Sequence, residues 1–171
     1  IDELRAVAST DSAATADLSL ITALMLRGEF DPALKAIDAL EKKQPDKPEA
    51  HDMRGRVLLA KKDVAGARKN FERAVALDPG FFPAVDRLAA LDLADKKPDQ
   101  ARKRFEAMLS NDPKNTRALM ALAQLKAMSG GGAAQVAEQI TQATLADPTQ
   151  AAPWLALVRL LESVQSQRIT Q

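Results

Sequence analysis

Apolar residues recur along this chain at helical spacing, and the same columns of residues return every 34 positions. One column consists of Ala33, Ala67 and Ala101. The other columns are Ile37, Phe71 and Phe105; Leu40, Ala74 and Met108; and Pro45, Pro79 and Pro113. Four columns that keep one period over three cycles indicate a repeat protein. The period continues to Pro148 with one inserted residue, which we place in the glycine-rich loop at 129–132.

Each repeat predicts two helices joined by a tight turn. In the unit from 48 to 81, the first helix is predicted from Pro48 to Ala60. Asp63 is expected to cap the second helix through its carboxylate. The second helix places Ala67 and Phe71 on one face, and Pro79 ends it because proline disfavours helical geometry at the residue before it.

The unit boundaries follow from this register within one domain, 1–171. We expect full helical pairs at 14–47, 48–81, 82–115 and 116–150, with half units at 1–13 and 151–171. The chain is therefore expected to be a segment of a longer array. In the last half unit, Trp154 and Leu157 are expected to pack on the preceding helix.

Composition narrows the class of protein. With 46% hydrophobic and 27% charged residues, the 171-residue chain can bury a continuous core. Its net charge of +1 gives no electrostatic reason to expect nucleic acid. The apolar stretches are short or interrupted by polar residues, so no membrane insertion of this segment is expected. The absence of cysteine excludes disulfides and zinc-thiolate sites, and it fits either redox compartment.

The candidate chemical groups favour structural roles. His51 is the single histidine, which excludes a multi-histidine metal site, and we interpret it as partly buried between helices. The 129–132 loop is not followed by a lysine and then a serine or threonine, as a phosphate-binding loop would be. We therefore interpret it as a connection between two helices. Asp78, Asp112 and Asp147 each precede a proline, which favours a turn role, and a repeat's width separates them. We therefore expect no catalytic residue, no metal, no cofactor and no enzymatic activity.

The columns resemble the tetratricopeptide repeat. The residues that carry the resemblance are Gly55, Leu58, Ala67, Phe71, Ala74 and Pro79; Leu88, Ala89, Ala101, Phe105 and Pro113; and Trp154, Leu157 and Val158. The pattern departs from the family at His51, where tryptophan is usual, and at Val136, where alanine is usual. The resemblance implies an all-α, right-handed α-solenoid of helix-turn-helix units that serves as a non-catalytic protein-interaction scaffold.

The resemblance also implies a concave groove, lined by the first helices, that binds a protein or peptide. Carried over one by one, the groove positions are Thr15, Leu18, Thr22, Met25, Asp52, Met53, Arg56, Leu59, Asp86, Arg87, Ala90, Leu93, Arg117, Met120, Gln124 and Met128. Leu155 and Arg159 continue them into the last half unit. Arg56, Arg87 and Arg117 would form a diagonal basic track. The alternative is local pairing, such as Asp52 with Arg56 four residues later on the same helix.

A finer resemblance concerns the run from 65 to 84 and the following 88–93. It is similar to the long repeat lipoproteins of bacterial PEP-CTERM/exosortase systems, which implies protein sorting or exopolysaccharide production and a periplasmic or outer-membrane-anchored location. Two alternatives stay open. One is a cytoplasmic co-chaperone or assembly adaptor, and the other is a repeat segment attached to an enzyme domain outside this chain.

Overall fold

The computed structural model describes residues 1–10 and 14–169, and in that part of the chain all regular secondary structure is helical. The helices are α1 Asp2–Thr10, α2 Ala14–Leu26, α3 Phe30–Lys43, α4 Glu49–Ala60, α5 Val64–Leu77, α6 Phe82–Ala94, α7 Pro98–Asn111, α8 Thr116–Met128, α9 Ala133–Ala146 and α10 Ala151–Ile169. The predicted half units include residues 11–13 and 170–171, which lie outside the described residues. The fold is an all-α helical repeat solenoid, as the sequence predicts.

In the unit 48–81, a side-chain cap holds the turn between the two helices. Asp63 precedes α5, and its Oδ1 accepts a hydrogen bond from the backbone amide of Gly66 at 2.8 Å. This cap satisfies one of the amides that a helix start leaves without a partner, and it confirms the predicted role of Asp63. The preceding helix begins at Glu49, one residue after the predicted Pro48, and ends at Ala60 as predicted.

The turns between repeats share one construction. Asp78, Asp112 and Asp147 each follow the last residue of a second helix, and each amide still bonds back to that helix. Their Oδ1 atoms accept from the backbone amides two residues on, at 2.8, 3.2 and 3.1 Å respectively. The predicted turn role is therefore confirmed for all three aspartates. Hydrogen bonds from Thr149 and Gln150 also lower the pKa of Asp147.

The chain divides into two compact units, Ile1–Leu88 and Ala89–Gln171, and the division falls inside α6. In the first unit α2 packs against α3 and α4 packs against α5, while α1 and α3 pack against the following first helices. The predicted columns form its core: Ala33, Ile37, Ala67 and Phe71 are all fully buried.

Gly55 shows how closely the helices of one pair approach. A Cβ atom at this position would lie 2.4 Å from a ring carbon of Phe71. The ring itself is fully buried. The absence of a side chain at position 55 therefore makes room for the aromatic ring of the second helix.

In the second unit α8 packs against both α7 and α9, and α9 packs against α10. Leu157 of α10 packs on a core formed by Ala123, Val136 and Ile140, which confirms its predicted contact with the preceding helix. Trp154 keeps 51% of its surface exposed, and its packing on the preceding helix stays a prediction. Its indole N–H donates to the carbonyl oxygen of Pro148 at 3.1 Å, so the ring lies over the turn before α10.

Candidate protein-binding surfaces

Three of the predicted groove residues line an open recess on α2, which we call the α2 recess. Thr15, Leu18 and Thr22 contribute to it, and its volume is about 520 Å³. The hydroxyl of Thr22 donates to the carbonyl oxygen of Leu18 at 2.8 Å, so it is satisfied within the helix. The recess therefore presents mainly apolar surface. Ser19, Ala23 and Leu26 complete it, and the groove prediction omitted them.

A second recess lies in the other unit, among α8, α9 and α10, and we call it the α8–α10 recess. The residues that line it are Met120, Ala123, Gln124, Ala127, Val136, Ile140, Ala152, Leu155, Ala156, Arg159 and Leu160. Its volume is also about 520 Å³. Apolar side chains form the walls, and Gln124 and Arg159 supply an amide and a guanidinium. Four of these residues, Met120, Gln124, Leu155 and Arg159, were predicted as groove positions, and they line one recess here.

Asp52 and Arg87 form a partly buried ion pair. A guanidinium nitrogen of Arg87 lies 3.0 Å from Asp52 Oδ1 and also donates to the carbonyl oxygen of Pro83 at 2.8 Å. Burial raises the pKa of Asp52, and the charges of Arg87 and Arg56 oppose that rise. The guanidinium of Arg87 stands 5.8 Å from the centre of the Phe71 ring, within cation–π range.

This pair changes the interpretation of the predicted basic track. Arg87 is engaged with a carboxylate on an earlier first helix, so it contributes less positive charge to a groove than the sequence suggested. The predicted alternative was a pair between Asp52 and Arg56, and the structure places Asp52 against Arg87 instead. Arg56 reaches the thioether of Met53, with 3.0 Å between nitrogen and sulfur.

The remaining predicted groove residues have varied surroundings. Met53 belongs to the core of its unit and leaves 8% of its surface exposed, so it offers little surface to a groove. Met25 packs, partly buried, against the same core. Leu59 is also partly buried, whereas Asp86, Ala90 and Arg117 are exposed.

His51 lies where α4 contacts α3. Its side chain is mostly buried, and Nε2 lies 3.6 Å from a carboxylate oxygen of Glu41. Arg54, on the same helix, pairs with Glu41 and Asp38 on α3. These contacts fix α4 against α3, and the predicted partial burial of His51 is confirmed.

Sequence reasoning missed a third recess, of about 340 Å³, between the second helix α7 and the pair α8 and α9. Lys126 and Gln139 line it together with Arg102 and Glu106, which form an ion pair with 3.0 Å between their nearest atoms. Within residues 1–10 and 14–169, no cluster of acidic and histidine side chains has the arrangement of a metal site. No helix in the same residues has the length and apolarity needed to cross a bilayer.

Chains built from repeated helix pairs of this kind are helical repeat proteins. Comparisons of sequence identify the family within this class. Two family profiles described as tetratricopeptide repeat match residues 18–80 and 58–125. Together they span more than half of the chain. The chain belongs to the tetratricopeptide repeat family, whose members are typically protein-interaction scaffolds. No curated protein is similar enough in sequence to count as a relative.

Solved structures of repeat proteins share the fold. PilF of Pseudomonas aeruginosa is 17% identical with a TM-score of 0.63, over 88% of this chain and 68% of that one. A thermophilic TPR protein of Thermus thermophilus is 22% identical with a TM-score of 0.61, over 89% and 83% of the two chains. YrrB, described as a TPR protein with an unusual peptide-binding site, is 17% identical with a TM-score of 0.53, over 94% and 82%. At these identities the likeness concerns the fold alone.

Proposed function

We propose that this chain is a non-catalytic scaffold that binds a protein segment through the α8–α10 recess. The single observation that carries the proposal is the composition of that recess, an apolar cavity of about 520 Å³ with one guanidinium and one amide among its lining groups. Pockets that bind ligands are commonly of this size and combine apolar walls with a few polar groups that fix orientation. The family and the peptide-binding site named for YrrB support a peptide as the kind of partner.

The lining residues define the chemistry of the segment. Ile140 and Leu155 offer apolar surface, and the flexible Met120 adapts to side chains of varied shape. Gln124 has both a donor and an acceptor, which suits a peptide backbone. Arg159 is exposed and can bind a carboxylate. The segment therefore carries a large apolar residue next to an aspartate or glutamate.

The test uses an array of 15-residue peptides in which leucine or phenylalanine is flanked by glutamate, with lysine-flanked versions as controls. We expect the purified chain to retain the glutamate-flanked peptides. Met120→Asp should abolish retention, and Arg159→Glu should reverse the preference toward lysine-flanked peptides. Arg73→Glu, on the exposed surface of α5 in the other unit, makes the same change of charge and should bind like the parent. Equal binding by the Arg159→Glu and Arg73→Glu variants would refute the assignment of the site.

We further propose that the scaffold serves exosortase-linked protein sorting or exopolysaccharide production in a bacterial envelope. The support is the sequence resemblance of the run at 65–84 and 88–93 to repeat lipoproteins of those systems. Deletion of the gene should cause mis-sorting of a PEP-CTERM-tagged reporter or loss of exopolysaccharide. Re-expression of the parent gene should restore the lost function, and the Met120→Asp version should not. Normal sorting and normal polysaccharide in the deletion strain would exclude this role.

A further inference from the structure

An apolar stripe on α10, distinct from the α8–α10 recess, is open to solvent. It consists of Trp154, Val158 and Leu161, which are 51%, 51% and 68% exposed. Their spacings of four and three residues place them on one face of the helix. Large apolar residues that share one face of a first helix are normally covered by another element.

The earlier repeats show what covers this face. The register places Trp154, Val158 and Leu161 in the columns of Asp17, Ile21 and Leu24 on α2, and these three residues are buried. The helix that packs along α2 within its own pair is α3. In the next repeat, the residue in the column of Val158 is Gly55, which lies directly against Phe71 of the second helix. The stripe is thus the surface on which a first helix receives the second helix of its pair.

We propose that the stripe binds an amphipathic helix of the second-helix type, carried by a partner protein. Its closest pattern within the chain is that of α3, whose inner face carries Ala33, Ala36, Ile37 and Leu40. Two relations between first and second helices, one of size and one of charge, set this pattern.

The first relation concerns size. Gly55 and Ala89 share the column of Val158, and their repeats place Phe71 and Phe105 on the second helix. Ile21 lies in the same column, and its repeat places the smaller Ile37 on the second helix. Both residues belong to one buried core. Because a valine cannot give the space that a glycine or alanine gives, the helix on α10 must carry an aliphatic residue where α5 and α7 carry phenylalanine.

The second relation concerns charge. Asp92 shares the column of Leu161, and it forms an ion pair with Arg104 of α7 at 2.5 Å. Where this column holds a leucine, as at Leu24 and Leu58, the residues in the column of Arg104 are the uncharged Ala36 and Asn70. Leu161 therefore selects a helix without a charge at that position, since a leucine cannot pair with a buried charge.

A second copy of the chain does not supply this helix. Within the described residues, α3, α5 and α9 already pack against α2, α4 and α8, and α7 packs against α8. The remaining helix of second-helix register is α1, and its Ile1 and Leu4 pack on the core of its own unit.

Trp154 provides the measurement, because it is the only tryptophan in a chain without tyrosine. The probe is a synthetic peptide of residues 30–43, the sequence of α3, which has no tryptophan. We expect the peptide to shift the Trp154 emission to shorter wavelength in a saturable titration. The same peptide with Ile37→Phe should bind about tenfold more weakly, because it overpacks against Val158. Val158→Ala in the protein should restore binding of that peptide.

A matched pair of variants locates the site. Val158→Glu should abolish the emission shift, whereas Val64→Glu, at a valine with a similar exposure of 47% on α5, should leave it intact. Circular dichroism of both proteins confirms that each remains helical. The proposal is overturned if neither peptide shifts the emission up to a concentration of about 1 mM, a weak-binding limit. Equal affinity for the two peptides also overturns the proposal. A shift of the Trp154 emission when the protein is concentrated without peptide overturns it as well, and would point to a second copy of the chain.

Discussion

Replacement of Arg87 by methionine tests the electrostatics of the first unit. Arg87 is the partner of the buried Asp52, with 3.0 Å between the two charged groups. Methionine keeps most of the aliphatic stem and removes the charge. Asp52 then loses the largest of the influences that hold its pKa down, while Arg56 continues to oppose the effect of burial.

The magnitude follows from the degree of burial. Breaking a fully buried ion pair costs about 3 to 5 kcal/mol, because one charge is left without compensation. The side chain of Arg87 is 29% exposed and Arg56 remains. We therefore expect a smaller loss of stability, roughly 2 kcal/mol at pH 7.

The loss should depend on pH in a defined direction. The pKa of Asp52 is raised in the folded state, so the folded chain takes up a proton at higher pH than the unfolded chain does. The charged carboxylate therefore lowers stability at neutral pH, and this effect disappears as the pH falls through the folded pKa toward the unfolded value. The Arg87→Met substitution raises the folded pKa further, so its cost should be largest at pH 7 and smaller at pH 4.

Urea unfolding followed by circular dichroism at pH 7 and pH 4 measures both effects. The control is the double variant Asp52→Asn, Arg87→Met, in which neither charge of this pair remains and stability at pH 7 should recover over the single Arg87→Met variant. A cost below about 0.5 kcal/mol, the level of an ordinary surface substitution, or an equal cost at both pH values would refute this account of the pair.

Further predictions concern packing and capping. Gly55→Ala should destabilise the chain by about 1 kcal/mol, because overpacking against Phe71 exceeds the gain in helix propensity. In a chain that also carries Phe71→Leu, the same Gly55→Ala substitution should be stabilising. Thermal unfolding of the single and double variants measures both effects. Phe71→Ala and Phe105→Ala should each cost about 3 to 5 kcal/mol in equilibrium denaturation, and a loss under about 1 kcal/mol at both would contradict the register. Asp63→Ala should cost about 1 kcal/mol through loss of its cap, whereas Asp63→Asn should cost much less.

The periodic columns were sufficient to predict the core. A column that keeps alanine at 33, 67 and 101, with a larger residue four positions on, indicates close helix packing in any repeat, and these residues are buried. The Asp-Pro turns were equally predictable, because their hydrogen bonds are local in sequence.

Contacts that cross between repeats were less predictable. The spacing of Asp52 and Arg56 within one helix suggested a pair, but Asp52 meets Arg87, 35 residues further along the chain. The exposure of Trp154 was not predictable from its column, because that column holds aspartate at 17 and histidine at 51 and carries no consistent apolar signal. The α8–α10 recess and the third recess likewise depend on side chains from several helices, which a column pattern does not reveal.

The Asp-Pro turns have a consequence for how such chains change in length. Each turn contains its own stabilising bonds, from the aspartate carboxylate to the amide two residues on, and needs nothing from the next repeat. Joining Asp78-Pro79 directly to Lys114-Asn115 by removing 80–113 recreates the four-residue sequence found at 112–115. Recombination between two copies of such a turn deletes or duplicates one whole 34-residue module and leaves an intact turn at the seam. The gene can thus lengthen or shorten by single repeats without evolving a new junction.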